Sequence, residues 1–367
     1  MSELIISFGD KKYKVSKDTL ASTYIEVEDS LIDLMADEVY TYIPGLYAAG
    51  AIETYKMNGF ESIQSLLIKS WDALIEENII HVVDGAVYTN CDVETYFNSS
   101  SDILDGDLFI PYDSNITKIG SVHINNDQDY TGQLGFSSCT KLSGIFIPNG
   151  IVEITTSAFD SCINLSTVKL PVTLRKIDSH AFSDCENLSY IELPNNCVLE
   201  DEVFYYYNSL TSIKIPQKMT VIKEYTFFYN EALEEVILPR NLTKIESFAF
   251  AGCKLSSVEL PKKLVEIGAS AFHNCPVTDV YFPDNVTHID DCAFQECPNL
   301  TSISLPASLE YIGERAFAYC PKLESITFRA SHPAEWRDIQ FGEDWNSGIP
   351  ATRVWTEYGD IDLDNSK

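Results

Sequence analysis

The chain has 367 residues, 45% of them hydrophobic and 22% charged, enough for one long domain or two ordinary ones and too apolar for a largely disordered chain. With 55 acidic against 25 basic side chains the net charge is −30. That charge repels phosphate, so nucleic acid and anionic membrane surfaces are excluded as expected partners. No run approaches the roughly 20 apolar residues of a membrane span. The opening MSELIISFGDKKYKV lacks the basic start and apolar stretch of a secretory signal. With Met1 as the natural start, ordinary secretion is not expected.

Taken in chain order, residues 1–80 read as a small α+β module. Residues 4–15 predict a hairpin turning at Gly9-Asp10. Leu20, Tyr24, Val27, Leu31 and Leu34 fall at helical spacings and predict a first helix. The same stripe is also that of a short coiled-coil seam, so self-association through this module stands as an alternative to a helix packed on its own domain. Segment 41–52 carries Pro and Gly and reads as a connector. Phe60, Ile63, Leu67, Trp71 and Leu74 predict a second amphipathic helix that shields the first repeat. Residues 81–141 form an irregular lead-in: Leu108, Ile110 and Pro111, then Phe136 and Cys139 after an insertion rich in Asn and Asp.

From Leu142 to Phe328 one pattern recurs: L-x-x-I-x-L-P, then L-x-x-I, then A-F-x-x-C. Its leading positions are Leu142, Leu165, Leu188, Leu210, Leu233, Leu255, Val277, Leu300 and Leu323, spaced 22 or 23 apart. The first stretch alternates like a short strand. Proline, which has no N–H to give a ladder, marks where that strand ends. The A-F-x-x-C segment predicts a helical turn that puts Phe and Cys on one face. One such unit cannot bury its apolar groups alone, but stacked units can.

Eight columns in register resemble the treponemal, BspA-type class of leucine-rich repeats. The resemblance implies a repeat solenoid, a right-handed superhelix of short parallel strands and helical turns. Two rungs depart from it, with Tyr207 and Asn230 in the cysteine column. The GLYAAGAI, SWDALI and DGAVYT segments further resemble the lead-in found before such repeats in proteins of gut bacteria and their phages. Beyond Phe328 the pattern dissolves, and residues 329–367 read as a C-terminal cap with a final strand, TRVWTEY, and an acidic, solvated tail. The alternating Asp360, Asp362 and Asp364 lack the Gly and closing Glu of a calcium loop.

The ten cysteines include no CxxC. Seven of them recur at one repeat position, which predicts buried structural thiols rather than disulfides or a metal site. No GxSxG, HExxH, GxxxxGK[ST] or GxGxxG is present, and the six histidines are scattered. The expectation is therefore no enzyme, no cofactor and no metal. A carboxylate pair brought together by folding is the remaining, disfavoured route to glycan chemistry.

The expected site is the strand face. Positions between the buried Ile and Leu point outward, and stacking aligns them into a row: Phe146, Lys169, Glu192, Lys214, Ile237, Glu259, Tyr281, Ser304. Beside it run Gly144, Thr167, Tyr190, Ser212, Glu235, Ser257, Asp279 and Ser302. At strand spacings of roughly 4.8 Å, nine rungs span about 40 Å, the reach of a protein or glycan ligand. Phe146, Lys169, Tyr190, Glu192, Lys214, Glu235, Ile237, Glu259 and Tyr281 are the candidate contacts. Tyr205, Tyr206 and Tyr207 form a second aromatic cluster on the turn side, open to either local packing or recognition. The family resemblance implies an adhesin or antigen at a bacterial cell surface; the missing signal and the distinct N-terminal module leave a phage tail or receptor-binding component as the alternative.

Overall fold

The computed structural model describes residues 135–363 continuously and, before them, the segments 3–8, 11–16, 24–28, 46–48, 65–70, 80–83, 86–89, 106–110 and 116–120. The chain divides into two units, Met1–Pro194 and Asn195–Lys367. Both are built from leucine-rich rungs stacked as a β-solenoid.

In the first unit, Glu3–Phe8 and Lys11–Ser16 form the expected antiparallel hairpin. One sheet runs in the order Thr167–Lys169, Leu142–Phe146, Gly106–Phe109, Leu46–Ala48, Ser65–Ser70, Tyr24–Glu28. It is parallel through its first three strands and antiparallel beyond them. Where it is described, the stripe expected to be helical is therefore strand, at Tyr24–Glu28 and again at Ser65–Ser70. YIEVE places Tyr24 and Val27 at helical spacing but also alternates from Ile25 to Glu28, and its β-branched and aromatic residues favour the strand once a partner is available. Leu20, Leu31, Leu34, Phe60, Ile63, Trp71 and Leu74 lie outside the described residues, as do Cys91, the Asn/Asp-rich insertion and Asp364. A second ladder pairs Lys176–Ile177, Glu153–Ile154, Lys118–Ile119 and Ala86–Thr89 in parallel, and Ile80–Val83 closes it antiparallel.

In the second unit the second ladder runs unbroken through Val221–Ile222, Lys244–Ile245, Glu266–Ile267, His288–Ile289, Tyr311–Ile312 and Gln340–Phe341, all parallel. Across the core stand Ser212–Lys214 paired with Glu235–Ile237, then Asp279–Tyr281, Ser302–Pro306, Ser325–Arg329 and Arg353–Thr356. Apart from the outward-facing Ile237, the isoleucines of both ladders are buried, with Leu210, Leu233, Leu255, Val277, Leu300 and Leu323 between them.

The Ala-Phe segments are not helical. Each holds two residues in the left-handed region four apart: Ser157 and Ser161, His180 and Asp184, Ser270 and Asn274, Cys292 and Glu296. A helix would reverse no φ. Here alternate N–H groups bond within the rung, as Ala158 N–H to Thr155 O at 3.2 Å, and across to the next rung, as Phe159 N–H to Ala181 O at 2.9 Å. The reversals aim every second amide along the stack, so the turn forms a third inter-rung ladder and its buried amides are satisfied.

That arrangement lines up the phenylalanines. Phe136, Phe159 and Phe182 stack in the first unit at 5.5 and 5.3 Å. Phe204, Phe227, Phe250, Phe272, Phe294 and Phe317 continue the pattern in the second at 5.1 to 5.5 Å. The cysteine column has a defined duty: its thiols give hydrogen bonds to the carbonyl of a Phe in the preceding rungs, as Cys162 to Phe136 at 2.9 Å and Cys275 to Phe250 at 3.1 Å. The described cysteines are free thiols, and all but Cys292 are buried.

One assignment in that column shifts. Tyr207 is exposed, and Asn208 takes the buried place, its Nδ2 bonding Phe204 O at 3.1 Å and Tyr206 O at 3.0 Å. Asn230 does sit in the column and bonds Phe204 O at 2.6 Å, but its Oδ1 is buried with no partner. A buried amide oxygen left unpaired costs on the order of 1 kcal/mol, whereas a thiol donates to the same carbonyl without that penalty. Asn230→Cys is therefore expected to stabilise the second unit by about 1 kcal/mol, read as a higher urea midpoint; a lower midpoint would contradict this account of the column.

The C-terminal end carries one more rung than the sequence pattern suggests. Pro333–Asp338 is a short 3-10 helix, after which Gln340–Phe341 joins the second ladder. Asp344 and Gly348 repeat the two left-handed positions, and Phe317 N–H bonds Trp345 O at 2.8 Å. Trp336, Phe341 and Trp345 pack together and fill the volume that Phe and Cys fill elsewhere. The acidic end is solvated as expected, Asp360 and Asp362 being exposed, and its described part is strand: Gly359–Asp362 pairs antiparallel with Arg353–Thr356, and Asp360 forms an ion pair with Arg353. Among the described residues no helix is long and apolar enough to cross a membrane.

Candidate functional site

The strand face exposes most of the predicted row. In the first unit Lys169, Tyr190 and Glu192 are exposed, with Tyr190 at 59%. Phe146 is not available. It is 1% exposed, and every residue of Leu142–Phe146 is buried, so both faces of that strand are covered and its outward position is a core position.

In the second unit Lys214, Ile237, Glu259 and Tyr281 are exposed in the first row and Glu235 and Asp279 in the second. The register extends the first row past the expected end. Tyr281 lies opposite Ser304, Ser304 opposite Thr327, and Thr327 opposite Trp355. Trp355 is 51% exposed. It was expected only as part of a covering strand. Its place in the row follows from the parallel pairing of Arg353–Thr356 with Ser325–Arg329, which the break after Phe328 conceals. Tyr281 and Trp355 are thus two exposed rings separated by three strand spacings, about 14 Å, over a serine–threonine floor.

This end of the face is organised by Arg329. Its guanidinium lies 4.0 Å over the Tyr281 ring and bonds Ser304 O at 2.8 Å and Ser304 Oγ at 2.7 Å. Its other nitrogen reaches Asp284 Oδ1 at 2.8 Å. The ring is held from one side, which lowers the entropy lost when a ligand stacks on it. In the next row Asp279 accepts hydrogen bonds from Ser302 and Thr301, which hold its carboxyl below the usual carboxylate range. Its charge is fixed across the neutral pH range. The set offers ring faces, hydroxyls and oriented carboxylates: contact chemistry of three kinds along one line.

His180 and His273 sit in the turn segments, as the repeat places them, and among the described residues no three His, Cys, Asp or Glu side chains form a metal-binding set.

A family model described as the BspA type leucine rich repeat region, in six copies, matches residues 112–231 and 225–335. The chain belongs to the BspA-type leucine-rich repeat family. No curated protein matches it significantly. Among solved structures, it is similar to a leucine-rich repeat protein from Bacteroides ovatus at 23% identity, covering 74% of this chain and 79% of that one with a TM-score of 0.47. It is also similar to a leucine rich cell surface protein from Faecalibacterium prausnitzii at 18% identity, covering 72% and 94% with a TM-score of 0.40. The pneumococcal vaccine antigen PcpA is similar at 18% identity, covering 76% and 78% with a TM-score of 0.37. In the BspA-type repeats of this chain, the columns that recur from rung to rung are the buried ones just described, and the residues of the exposed rows differ between rungs.

Proposed function

We propose that this BspA-type repeat protein is a non-enzymatic binding protein that uses its strand face to hold an extended protein or glycan ligand on a cell or host surface. The observation that carries the reading is the outward row of the second unit, where Tyr281 and Trp355 stay exposed in one register through Ser304 and Thr327, and Ile237 stays exposed opposite Lys214. Exposed aromatics surrounded by polar groups are the usual anchors of recognition surfaces. Tyr190 with Lys169 and Glu192 extends the same chemistry to the first unit. The work asked of these residues is stacking, hydrogen bonding and charge pairing, and none of it requires bond making.

The test is an array of matrix proteins and glycans, followed by affinity measurement on the best binder. Ile237→Ser, Tyr281→Ser and Trp355→Ser combined are expected to weaken binding at least about tenfold, since loss of two or three anchors exceeds the 1.4 kcal/mol of one decade. Circular dichroism of the variant should match the parent. Equal affinity in the folded triple variant would place the ligand elsewhere.

A further inference from the structure

The second unit carries another aromatic surface, on the turn side. Seven rings make one contiguous cluster: Tyr205, Tyr206, Tyr207, Tyr225, Phe228, Tyr229 and Phe248. Tyr225 stacks on Phe248 at 4.8 Å, Tyr205 on Phe228 at 5.4 Å and Tyr206 on Tyr229 at 5.9 Å, with Tyr206 edge-on to Tyr205 at 4.4 Å. Tyr207 is the outermost ring, 58% exposed.

Local conformation does not ask for these residues. Tyr206, Tyr225, Tyr229 and Phe248 all occupy the left-handed positions of their turns, with φ between 53° and 59°. Other rungs fill the same positions mostly with polar residues, such as Ser157, Asp184, Asn274, Glu296 and Arg315, and once with Tyr319. Bulky side chains are disfavoured there, and small polar ones or glycine suit the backbone better. Among the other described turns only Tyr319 puts a Phe or Tyr at such a position, whereas the three successive turns between 200 and 254 hold four, against backbone preference.

The charge around the rings is one-sided. Stretches 200–207, 223–231 and 246–254 contain Glu200, Asp201, Glu202, Glu224, Glu231 and Glu246 against Lys223 and Lys254, on a chain of net charge −30. Ring faces beside carboxylates suit a cation, above all a planar guanidinium, which stacks on a ring while its N–H groups meet a carboxylate. The same unit holds an example: Arg329 lies over Tyr281 with Asp284 on its other edge.

We propose that this turn-side tyrosine patch is a second binding surface, for an arginine-bearing segment of a partner protein. A guanidinium stacks on the exposed Tyr207 ring and the half-buried rings beside it, and the carboxylates of these turns take its N–H groups. The surface is independent of the strand face and of whatever ligand that face holds.

The test uses the full chain and oligo-arginine, oligo-lysine and oligo-glutamate peptides as probes, with binding followed by calorimetry. Attraction to any acidic protein would not distinguish the patch, so the decisive variant leaves net charge unchanged: Tyr207→Asn with Tyr229→Asn, which places in both turns a residue that tolerates the left-handed region. The parent should bind the arginine peptide more tightly than the lysine peptide and should not bind the glutamate peptide. The Asn variant should lose at least about tenfold of the arginine affinity, equivalent to 1.4 kcal/mol. As a second variant independent of the rings, Glu202→Gln with Glu224→Gln should weaken both basic peptides. Equal arginine affinity in parent and Asn variant, or no saturable binding of the arginine peptide to the parent, would overturn the proposal.

Discussion

Phe250→Ala is expected to lower the stability of the second unit by about 3–5 kcal/mol, the range for deleting a fully buried aromatic ring. The ring stacks on Phe227 at 5.3 Å and on Phe272 at 5.4 Å, nearly parallel to both. Its loss removes two such contacts, each worth about 0.5–1.5 kcal/mol beyond the area buried. The backbone at this residue is also a junction: Phe250 N–H bonds Ala271 O, and Phe250 O accepts from Cys253 N–H and from the Cys275 thiol. A cavity there loosens three rungs at once. Because each rung of a solenoid touches only its neighbours, coupling along the stack is lost at that point. Urea unfolding followed by circular dichroism should show a large fall in midpoint, with broadening as the two sides of the break melt separately. Phe272→Ala and Phe227→Ala should behave alike. A loss below about 1 kcal/mol would mean that the ring column is not the spine of the unit.

The buried columns were legible because each is required afresh every 22 or 23 residues. Leu, Ile, Pro and Phe repeat in the sequence because the same cavity recurs in space. Local geometry was less legible. Phe and Cys three residues apart fit a helix, but they also fit a chain of reversing turns. The sign that separates the two is the residue just before Ala and the one four beyond it, as Ser157 and Ser161 or Ser270 and Asn274, which are left-handed in the structure. At 24–28 the residues fit both a helical stripe and a strand, at 65–70 only Leu67 belongs to the expected stripe, and pairing between strands distant in sequence decided both segments. Phe146 followed the alternation of its strand, but exposure depends on what else covers the sheet, which no local pattern encodes. The added rung at 340–348 was concealed by an insertion and by Trp345 standing where Ala stands in other turns. Its F-G-E at 341–343 does echo the I-G-E at 312–314. Of the candidate row, Lys169, Tyr190, Glu192, Lys214, Glu235, Ile237, Glu259 and Tyr281 were readable from period two alone. Trp355 and the Arg329 clamp depend on strand pairing across the break after Phe328, which period two does not encode.

A different prediction comes from the turn side of the first unit, where one carboxylate is placed at a cost. Asp160 follows Phe159 in the turn, and burial raises its pKa to about 6, with the charge of Asp184 adding to the rise. His180, Ser161 and Ser183 pull the other way and offset only part of it. Asp184 is itself raised, chiefly by burial and then by Glu186. The sign follows from which state holds the proton. Between the ordinary carboxylate value and about 6, folded Asp160 keeps a proton that the unfolded chain has released, so stability falls as pH rises through that window and stays low above it. The ionised form is penalised on the order of 2 kcal/mol. Asp160→Asn removes the penalty while keeping the shape and a hydrogen-bonding group. The variant should therefore be more stable than the parent by on the order of 2 kcal/mol at pH 7.5 and nearly equal to it at pH 4. Subtracting parent from variant at each pH cancels the titration of the other acidic residues, and urea midpoints at the two values are sufficient. The same advantage at both pH values would mean that packing, rather than ionisation, separates Asn from Asp at this turn.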